Sequence, residues 1–153
     1  MKKSNKKIIG RKDKLDFPRL KLEEIDVKFD TGAYSSSIHC RDIKLGTKNG
    51  KEVITFILLD PTHPKYHGKK FTSTTFKEKY VKSSNGVSEK RFVITSNVLI
   101  FGEKYQVELS LTERGEMRFP ILIGRKLLMG NFIVDSSKTD LSYKQSKKNK
   151  QND

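Results

Sequence analysis

A short alternating stretch that runs into an acid and a tight turn, Ile25–Ala33, constrains the fold of this chain more than any other feature. Apolar and polar residues alternate up to Asp30, and Thr31-Gly32-Ala33 follows. The period of two predicts a half-buried strand with Asp30 at its carboxyl end. Taken alone, the stretch fits either a positioned catalytic acid or ordinary turn chemistry, because Asp and Gly also favour plain turns.

The length and charge of the chain predict one basic domain. Its 153 residues suit a single compact unit, and we predict a domain over residues 8–143 between disordered basic tails at 1–7 and 144–153. The formal net charge of +14 implies attraction to a polyanion, which includes nucleic acid, an anionic membrane and an acidic protein or peptide. Charge alone does not choose among these partners.

Several classes of protein are disfavoured by what the sequence lacks. Cys40 is the single cysteine, so no intrachain disulfide can form, and we predict that it is buried. No signal-peptide core and no apolar run of membrane-spanning length occurs, so a cytoplasmic protein without a membrane partner is expected. No phosphate-binding loop of the Gly-x-x-x-x-Gly-Lys-Ser/Thr type is present, and we predict no cofactor.

Many short strand-like segments separated by turn signals make up the remaining chain. Hairpin turns are predicted at Gly46–Gly50, at Ser83–Gly86 and at Gly102-Glu103, the last as a type II′ turn. A short helix is predicted at Arg125–Met129, ended by Gly130. This pattern predicts an all-β antiparallel barrel or sandwich with one short helix towards the carboxyl end.

Two separated motifs resemble the retropepsin-like aspartic proteases. The first is Phe29–Ala33, where a strand leads into Asp-Thr-Gly-Ala. The second is Ile121–Leu128, where an apolar strand leads into Gly-Arg and a short helix. The segments Ser83–Gly86, Leu111–Arg114 and Gly130–Asp135 are further similar to the bacterial and archaeal family labelled ATP-dependent zinc proteases, also called RimB-like. The resemblance covers roughly Ile8 to Tyr143 and implies a retropepsin-like barrel.

The resemblance implies a role for each residue of the first motif. Asp30 would be the catalytic acid, Thr31 would brace the loop, and the Gly32 N–H would approach the scissile carbonyl or a partner acid. An aspartic peptidase needs two carboxylates that share a proton. Since this chain has one Asp-Thr-Gly, the resemblance predicts a homodimer with the active site on its two-fold axis.

The substrate site is predicted from the same resemblance. Ala33, Arg91 and Arg125 would contact substrate, and the turn Ser84-Asn85-Gly86 would act as a flap over the cleft. RimB-like proteins are associated with ATP-grasp ligases that add glutamate to protein C-termini, which implies an acidic or polyglutamylated substrate and a functional link to such a ligase. An alternative stays open for each assignment. The turn could be a plain hairpin tip instead of a flap, and Arg125 could make an internal ion pair instead of a substrate contact.

Two other kinds of site compete with this interpretation. His63 and His67 have the spacing of a helical metal pair, but Pro64 and Gly68 oppose a helix there, so no metal site is predicted. The remaining alternative is a non-enzymatic, basic β-rich module that binds nucleic acid or another polyanion. Its stacking side chains would be those of three aromatic residues in the basic stretch after residue 69, namely Phe71, Phe76 and Tyr80.

Overall fold

β-strands dominate the fold, in agreement with the alternating segments of the sequence. The structure is a computed structural model that describes residues 5–82, 85–113 and 118–151. The strands are β1 (Lys7–Ile9), β2 (Lys12–Phe17), β3 (Leu22–Phe29), β4 (Ser36–Lys48), β5 (Lys51–Leu58), β6 (Lys70–Ser73), β7 (Phe76–Lys82), β8 (Ser88–Ile100), β9 (Glu103–Thr112), β10 (Ile121–Ile123) and β11 (Phe132–Val134). The helices are α1 (Arg125–Leu128), α2 (Leu141–Gln151) and a 3₁₀ turn at Pro18–Leu20.

Six strands form a closed path, in the order β10, β3, β2, β8, β9 and β4, which returns to β10. Strand β10 lies between β3, to which it is parallel, and β4, to which it is antiparallel. Strands β4 and β9 are also parallel. The predicted all-β, retropepsin-like class is confirmed, although the path mixes parallel and antiparallel pairs and is not a regular antiparallel barrel.

The strand before Asp30 packs as its alternation predicts. Ile25, Val27 and Phe29 of β3 are buried, whereas Lys28 is exposed. Burial of one such apolar side chain contributes about 1.5–3 kcal/mol, so the register of β3 is strongly determined. A one-residue slip would bury Lys28 and expose the apolar face. The predicted burial of Cys40 in β4 is also confirmed, and burial raises the pKa of its thiol.

Two hairpin turns show where local turn signals succeed and fail. Asn49 and Gly50 both have positive φ angles, 52° and 76°, as a type I′ turn between β4 and β5 requires. The prediction of a type II′ turn at Gly102-Glu103 is wrong by one residue, because Phe101 and Gly102 form the turn, with φ of 53° and 76°. The Phe101 N–H donates to Ser142 Oγ at 2.8 Å, a long-range contact that favours this placement.

The carboxyl-terminal segment differs from its prediction, because α2 is a helix over most of the predicted disordered tail at 144–153. Its first turn is capped by a distant residue of β2. The buried carboxylate of Asp13 accepts the N–H groups of Ser142 at 2.9 Å and Tyr143 at 3.0 Å. Burial raises the pKa of Asp13, while these backbone hydrogen bonds oppose that shift. No helix in the described ranges is long and apolar enough to cross a membrane.

Candidate active site

The turn after β3 holds the carboxyl group of Asp30 in a defined position. The Asp30 N–H donates to the carbonyl of Ile123 in β10 at 2.8 Å, and the Ala33 N–H donates to the Asp30 carbonyl at 3.2 Å. The Gly32 N–H donates to Asp30 Oδ1 at 3.0 Å. The carboxyl group is half-buried. Backbone groups therefore fix this acid without help from a substrate, which suits a group that must be positioned before it transfers protons.

Gly32 keeps the approach to this carboxylate open. A Cβ atom at this position would lie 3.2 Å from Asp30 Oδ1, which is closer than an ordinary contact. The N–H group of Gly32 binds the carboxylate of its own chain. Its predicted approach to a scissile carbonyl or to a partner acid therefore stays a prediction.

The two sequence motifs lock together through their backbones, in a contact that we call the clasp (residues 33–36 with 124–126). The Arg125 N–H donates to the Ala33 carbonyl at 2.8 Å, and the Lys126 N–H donates to the Tyr34 carbonyl at 2.9 Å. The Gly124 N–H donates to Ser36 Oγ at 3.0 Å. The segment after Asp30 is therefore held directly against the start of α1.

The clasp requires glycine at position 124. A Cβ atom there would lie 2.5 Å from the carbonyl oxygen of Ser35 and 2.6 Å from that of Tyr34. Both neighbours are backbone atoms that are themselves held in the clasp, so neither can move aside cheaply. The close approach of the two motifs thus requires the glycine that ends the Ile-Leu-Ile-Gly sequence.

Arg125 braces the clasp from within the chain. Its Nη1 donates to the Thr31 carbonyl at 2.9 Å, and its guanidinium lies 6.0 Å from the centre of the Tyr34 ring. The sequence left open an internal ion pair for Arg125. The internal partner in the structure is instead a backbone carbonyl oxygen. The Thr31 side chain is exposed, and its hydroxyl makes no hydrogen bond within the described part of the chain. A role of Arg125 in substrate contact stays a prediction.

A cavity of about 460 Å³ borders the clasp. Its lining has two parts, which we call its walls. The first consists of Tyr34–Ser36 and Lys126-Leu127, and the second consists of Lys77–Lys79 of β7 with residues of β8 and β9. The cavity is rich in charge, because Lys126 Nζ lies 2.9 Å and Lys77 Nζ lies 3.6 Å from the carboxylate of Glu108.

The β7–β8 hairpin carries the remaining predicted substrate residues. Asn85 and Gly86 lie in its connection, where Asn85 Oδ1 accepts the Val87 N–H at 3.2 Å and Gly86 has a φ of 84°. Ser84 lies outside the described residues. Arg91 is half-buried on β8 and forms an ion pair with Glu89 at 3.3 Å. The hairpin is thus in place, and its flap role stays a prediction.

Comparison with known proteins decides the family. The family described as "RimB-like: Retropepsin-like aspartic endopeptidase RimB" matches residues 8–145. The chain belongs to the RimB-like family. The resemblance drawn from the two motifs is thereby confirmed, and the clasp gives the physical reason why both motifs occur together.

The curated relatives of this RimB-like chain are longer proteins that are named as ligases and not as endopeptidases. A "Probable alpha-L-glutamate ligase" of Shewanella pealeana is 36% identical over 88% of this chain and 30% of the relative. The protein of the same name from Desulfotalea psychrophila is 32% identical over 85% of this chain and 28% of the relative. The chain therefore spans less than a third of the curated relatives that it matches.

A solved structure shares the fold over almost its whole length. The crystal structure of a Legionella pneumophila protein of unknown function is similar with a TM-score of 0.66 and 26% identity. The match covers 89% of this RimB-like chain and 98% of the Legionella chain. The similarity is therefore one of a whole domain and not of a shared fragment.

The structure does not assemble the competing sites. Within residues 5–82, 85–113 and 118–151, no three His, Cys, Asp or Glu side chains come together as metal ligands. His63 Nδ1 accepts the Lys65 N–H at 3.0 Å, and His67 Nδ1 accepts the Lys69 N–H at 3.3 Å. Each ring therefore uses a nitrogen within its own loop.

The aromatic residues proposed for base stacking are separated. Phe71 stacks on buried Phe56 with ring centres 5.8 Å apart, and Phe76 packs edge-on against Phe92 at 5.7 Å. Tyr80 alone of the three predicted residues is exposed. Phe71 and Phe76 are half-buried and pack against the core, so their stacking role, like that of Tyr80, stays a prediction.

Sequence reasoning missed three charged residues of the cavity in the RimB-like chain, Lys79, Lys126 and Glu108. They come from separate elements, β7, α1 and β9, and meet only in the folded chain. No local pattern marks them, since lysine and glutamate are frequent throughout the sequence. The register of β7 against β8 is the signal that would have found Lys79, because it sets this residue opposite the predicted Arg91.

Proposed function

We propose that this RimB-like chain is a cytoplasmic aspartic-type peptidase that hydrolyses acidic, glutamate-rich peptide segments. Its active site would combine the Asp30 carboxylates of two copies of the chain. The observation that carries the proposal is the position of Asp30, which Gly32 and Ile123 hold at a strand end next to the clasp. Family membership supports this use of the site.

The chemistry requires a second carboxylate close to the first. Two acids in contact cannot both ionise cheaply, so the pair holds one proton between them. The ionised member takes a proton from water as the water oxygen attacks the peptide carbonyl carbon, and the protonated member donates to the carbonyl oxygen. Collapse of the tetrahedral intermediate breaks the C–N bond, with a proton passing to the leaving amine. Water is thus divided between a new carboxyl group and a new amine.

Exposed apolar side chains on elements near the Asp30 turn support a second copy as the source of that carboxylate. Ile8 of β1 pairs in register with Ile133 of β11, and both side chains are about half exposed, at 48% and 54%. Met129, at the end of α1, is 64% exposed. A cavity of about 430 Å³ is lined by both Thr31 and β11, so this two-stranded sheet adjoins the turn. Ile8 and Ile133 form an exposed apolar pair across the two strands, and exposed apolar side chains of this kind occur at association surfaces.

The choice of an acidic substrate rests on charge. The chain carries a formal net charge of +14, and lysines from two elements line the cavity beside the clasp. A glutamate-rich segment would be attracted over a distance of several ångströms and would then meet cations within the cavity. The curated relatives are named "Probable alpha-L-glutamate ligase". This name supports the same substrate class and a functional link to a glutamate ligase.

A second candidate function follows from those names. The chain matches less than a third of proteins named as ligases, so the domain would serve to bind a glutamate-rich chain for an ATP-grasp ligase without cutting it. Both functions use the same cationic cavity. They differ in whether Asp30 is needed for chemistry.

The test is the Asp30→Asn variant, assayed on glutamate-rich peptides by mass spectrometry. A peptidase should lose at least about a thousandfold in kcat/KM, since the amide neither activates water nor shares a proton. The matched control is Asp26→Asn on the same strand, whose carboxylate binds Lys14 at 3.0 Å and which should keep its activity. Equal cleavage by wild-type protein and Asp30→Asn would refute the aspartic mechanism. Peptide binding without cleavage by either protein would favour the second candidate.

A further inference from the structure

Lys79 occupies a distinctive position in the cavity beside the clasp. It lies on the cavity-facing side of β7 and is half-buried. Its ammonium donates to Ser35 Oγ at 2.9 Å, and Ser35 belongs to the clasp. Lys79 thus connects the two walls of the cavity through a neutral hydroxyl.

The other cations around this cavity have carboxylate partners. Lys126 and Lys77 share Glu108, at 2.9 Å and 3.6 Å. Arg91 has Glu89 at 3.3 Å. Among the described residues, no carboxylate lies within ion-pair distance of Lys79. A partly buried ammonium without a counter-ion is unfavourable, and an incoming carboxylate would remove that cost.

The strand register increases this cost. Lys79 of β7 lies directly opposite Arg91 of β8, and like charges at directly opposite positions destabilise a sheet. Burial lowers the pKa of Lys79, and the neighbouring positive charge of Arg91 lowers it further. Glu108 acts in the opposite direction but is already bound by Lys126 and Lys77. The positive field at Lys79 is therefore only partly neutralised by the protein.

A second pair of opposed cations lies at exposed positions, where a smaller cost is expected. Lys48 and Lys51 also face each other, across the β4–β5 hairpin. Both are exposed, so water and salt screen their repulsion. They provide a matched comparison with the same cross-strand arrangement outside the cavity.

We propose that Lys79, supported by Arg91, is the specificity-determining residue that binds a glutamate side chain of the substrate beside the clasp. The carboxylate would take the position of the missing counter-ion and accept hydrogen bonds from the Lys79 ammonium. The inference rests on the proposed acidic substrate, but not on cleavage. It can therefore be tested on protein in which Asp30 has been replaced.

The experiment measures binding of a fluorescein-labelled hexaglutamate peptide by fluorescence anisotropy, with Asp30→Asn as the parent protein. Addition of Lys79→Glu should weaken binding at least about tenfold, because it removes an attractive contact and adds a repulsive one. Lys79→Met should weaken binding by a smaller factor. Lys48→Glu makes the same charge change opposite Lys51 and should alter binding by less than about twofold.

A hexalysine peptide completes the design. Hexalysine should bind the Lys79→Glu protein more tightly than it binds the parent. Its affinity for the Lys48→Glu protein should not exceed its affinity for the parent. Equal weakening of hexaglutamate binding by Lys79→Glu and Lys48→Glu would overturn the inference, since only general charge would then matter. No binding of hexaglutamate by the parent would also overturn it, and circular dichroism confirms that each variant is folded.

The binding result and the cleavage result separate the two proposals. Tight, Lys79-dependent binding without cleavage by wild-type protein would keep this inference and refute the peptidase. If the Lys79→Glu protein cleaved peptides with an unchanged preference for glutamate-rich sequences, the peptidase proposal would stand and this inference would be refuted. A final comparison uses single-stranded RNA, at equal charge concentration, to displace the labelled peptide. If RNA displaced the peptide and Lys79→Glu had no effect, the surface would bind polyanions in general, which would also contradict the inference about Lys79.

Discussion

The cavity beside the clasp has two walls that differ in how they are stabilised. On one wall, the backbones of residues 33–36 and 124–126 are in direct contact and hydrogen-bonded. On the other, the β7–β8 hairpin sets Lys79 opposite Arg91, an arrangement that its own stability does not favour. The first wall would hold the reacting centre in place, and the second would recognise the substrate through a charge that the protein leaves partly unpaired. Under the proposed function, position and specificity would be provided by different elements.

The largest expected effect is the loss of the clasp in Gly124→Ala. The added Cβ would lie 2.5 Å from a backbone carbonyl oxygen, so the two motifs must separate. We expect the free energy of unfolding to fall by about 3 kcal/mol or more, as measured by urea denaturation.

The control for that variant is Gly46→Ala in β4. No heavy atom of the described residues lies within 4 Å of the added Cβ, and the residue does not have a positive φ. Its stability should change by less than about 1 kcal/mol. Similar losses in both variants would contradict the view that the clasp depends on close backbone contact at Gly124.

A smaller effect is expected from Glu108→Gln, which tests the charge balance of the second wall. The change removes the carboxylate that Lys126 and Lys77 share. Binding of the hexaglutamate peptide should tighten about twofold to fivefold, the range typical of one partly exposed charge interaction, and the gain should disappear at high salt. Weaker binding would show that Glu108 positions the lysines instead of competing with the substrate.

The same variant has a defined pH signature. The hydrogen bond from Lys126 lowers the pKa of Glu108 in the folded protein. A lowered pKa contributes stability that is present above the ordinary glutamate pKa and is lost as the pH falls through the folded value. Unfolding measured in the acid range should therefore depend less on pH in Glu108→Gln than in the wild-type protein.

The sequence allowed the two motifs at the first wall to be recognised, but neither the backbone contacts between them nor the second wall, for physical reasons. The alternation before Asp30 is a local signal of burial, whereas the close approach that requires glycine at position 124 arises only in the folded chain. The position of Lys79 opposite Arg91 depends on the register of two strands, which is set by contacts made after the chain has folded. The folded segment at α2 was missed for a similar reason, because its cap, Asp13, is distant in sequence.

The most direct test of the shared Asp30 site is an activity titration with mixed subunits. Wild-type chain and Asp30→Asn chain are mixed at constant total concentration, allowed to exchange, and assayed on a glutamate-rich peptide. If two copies share one dyad, activity should fall as the square of the wild-type fraction, to about a quarter at equal proportions. A linear fall, to about half at equal proportions, would show that each chain carries a complete site and would contradict the account.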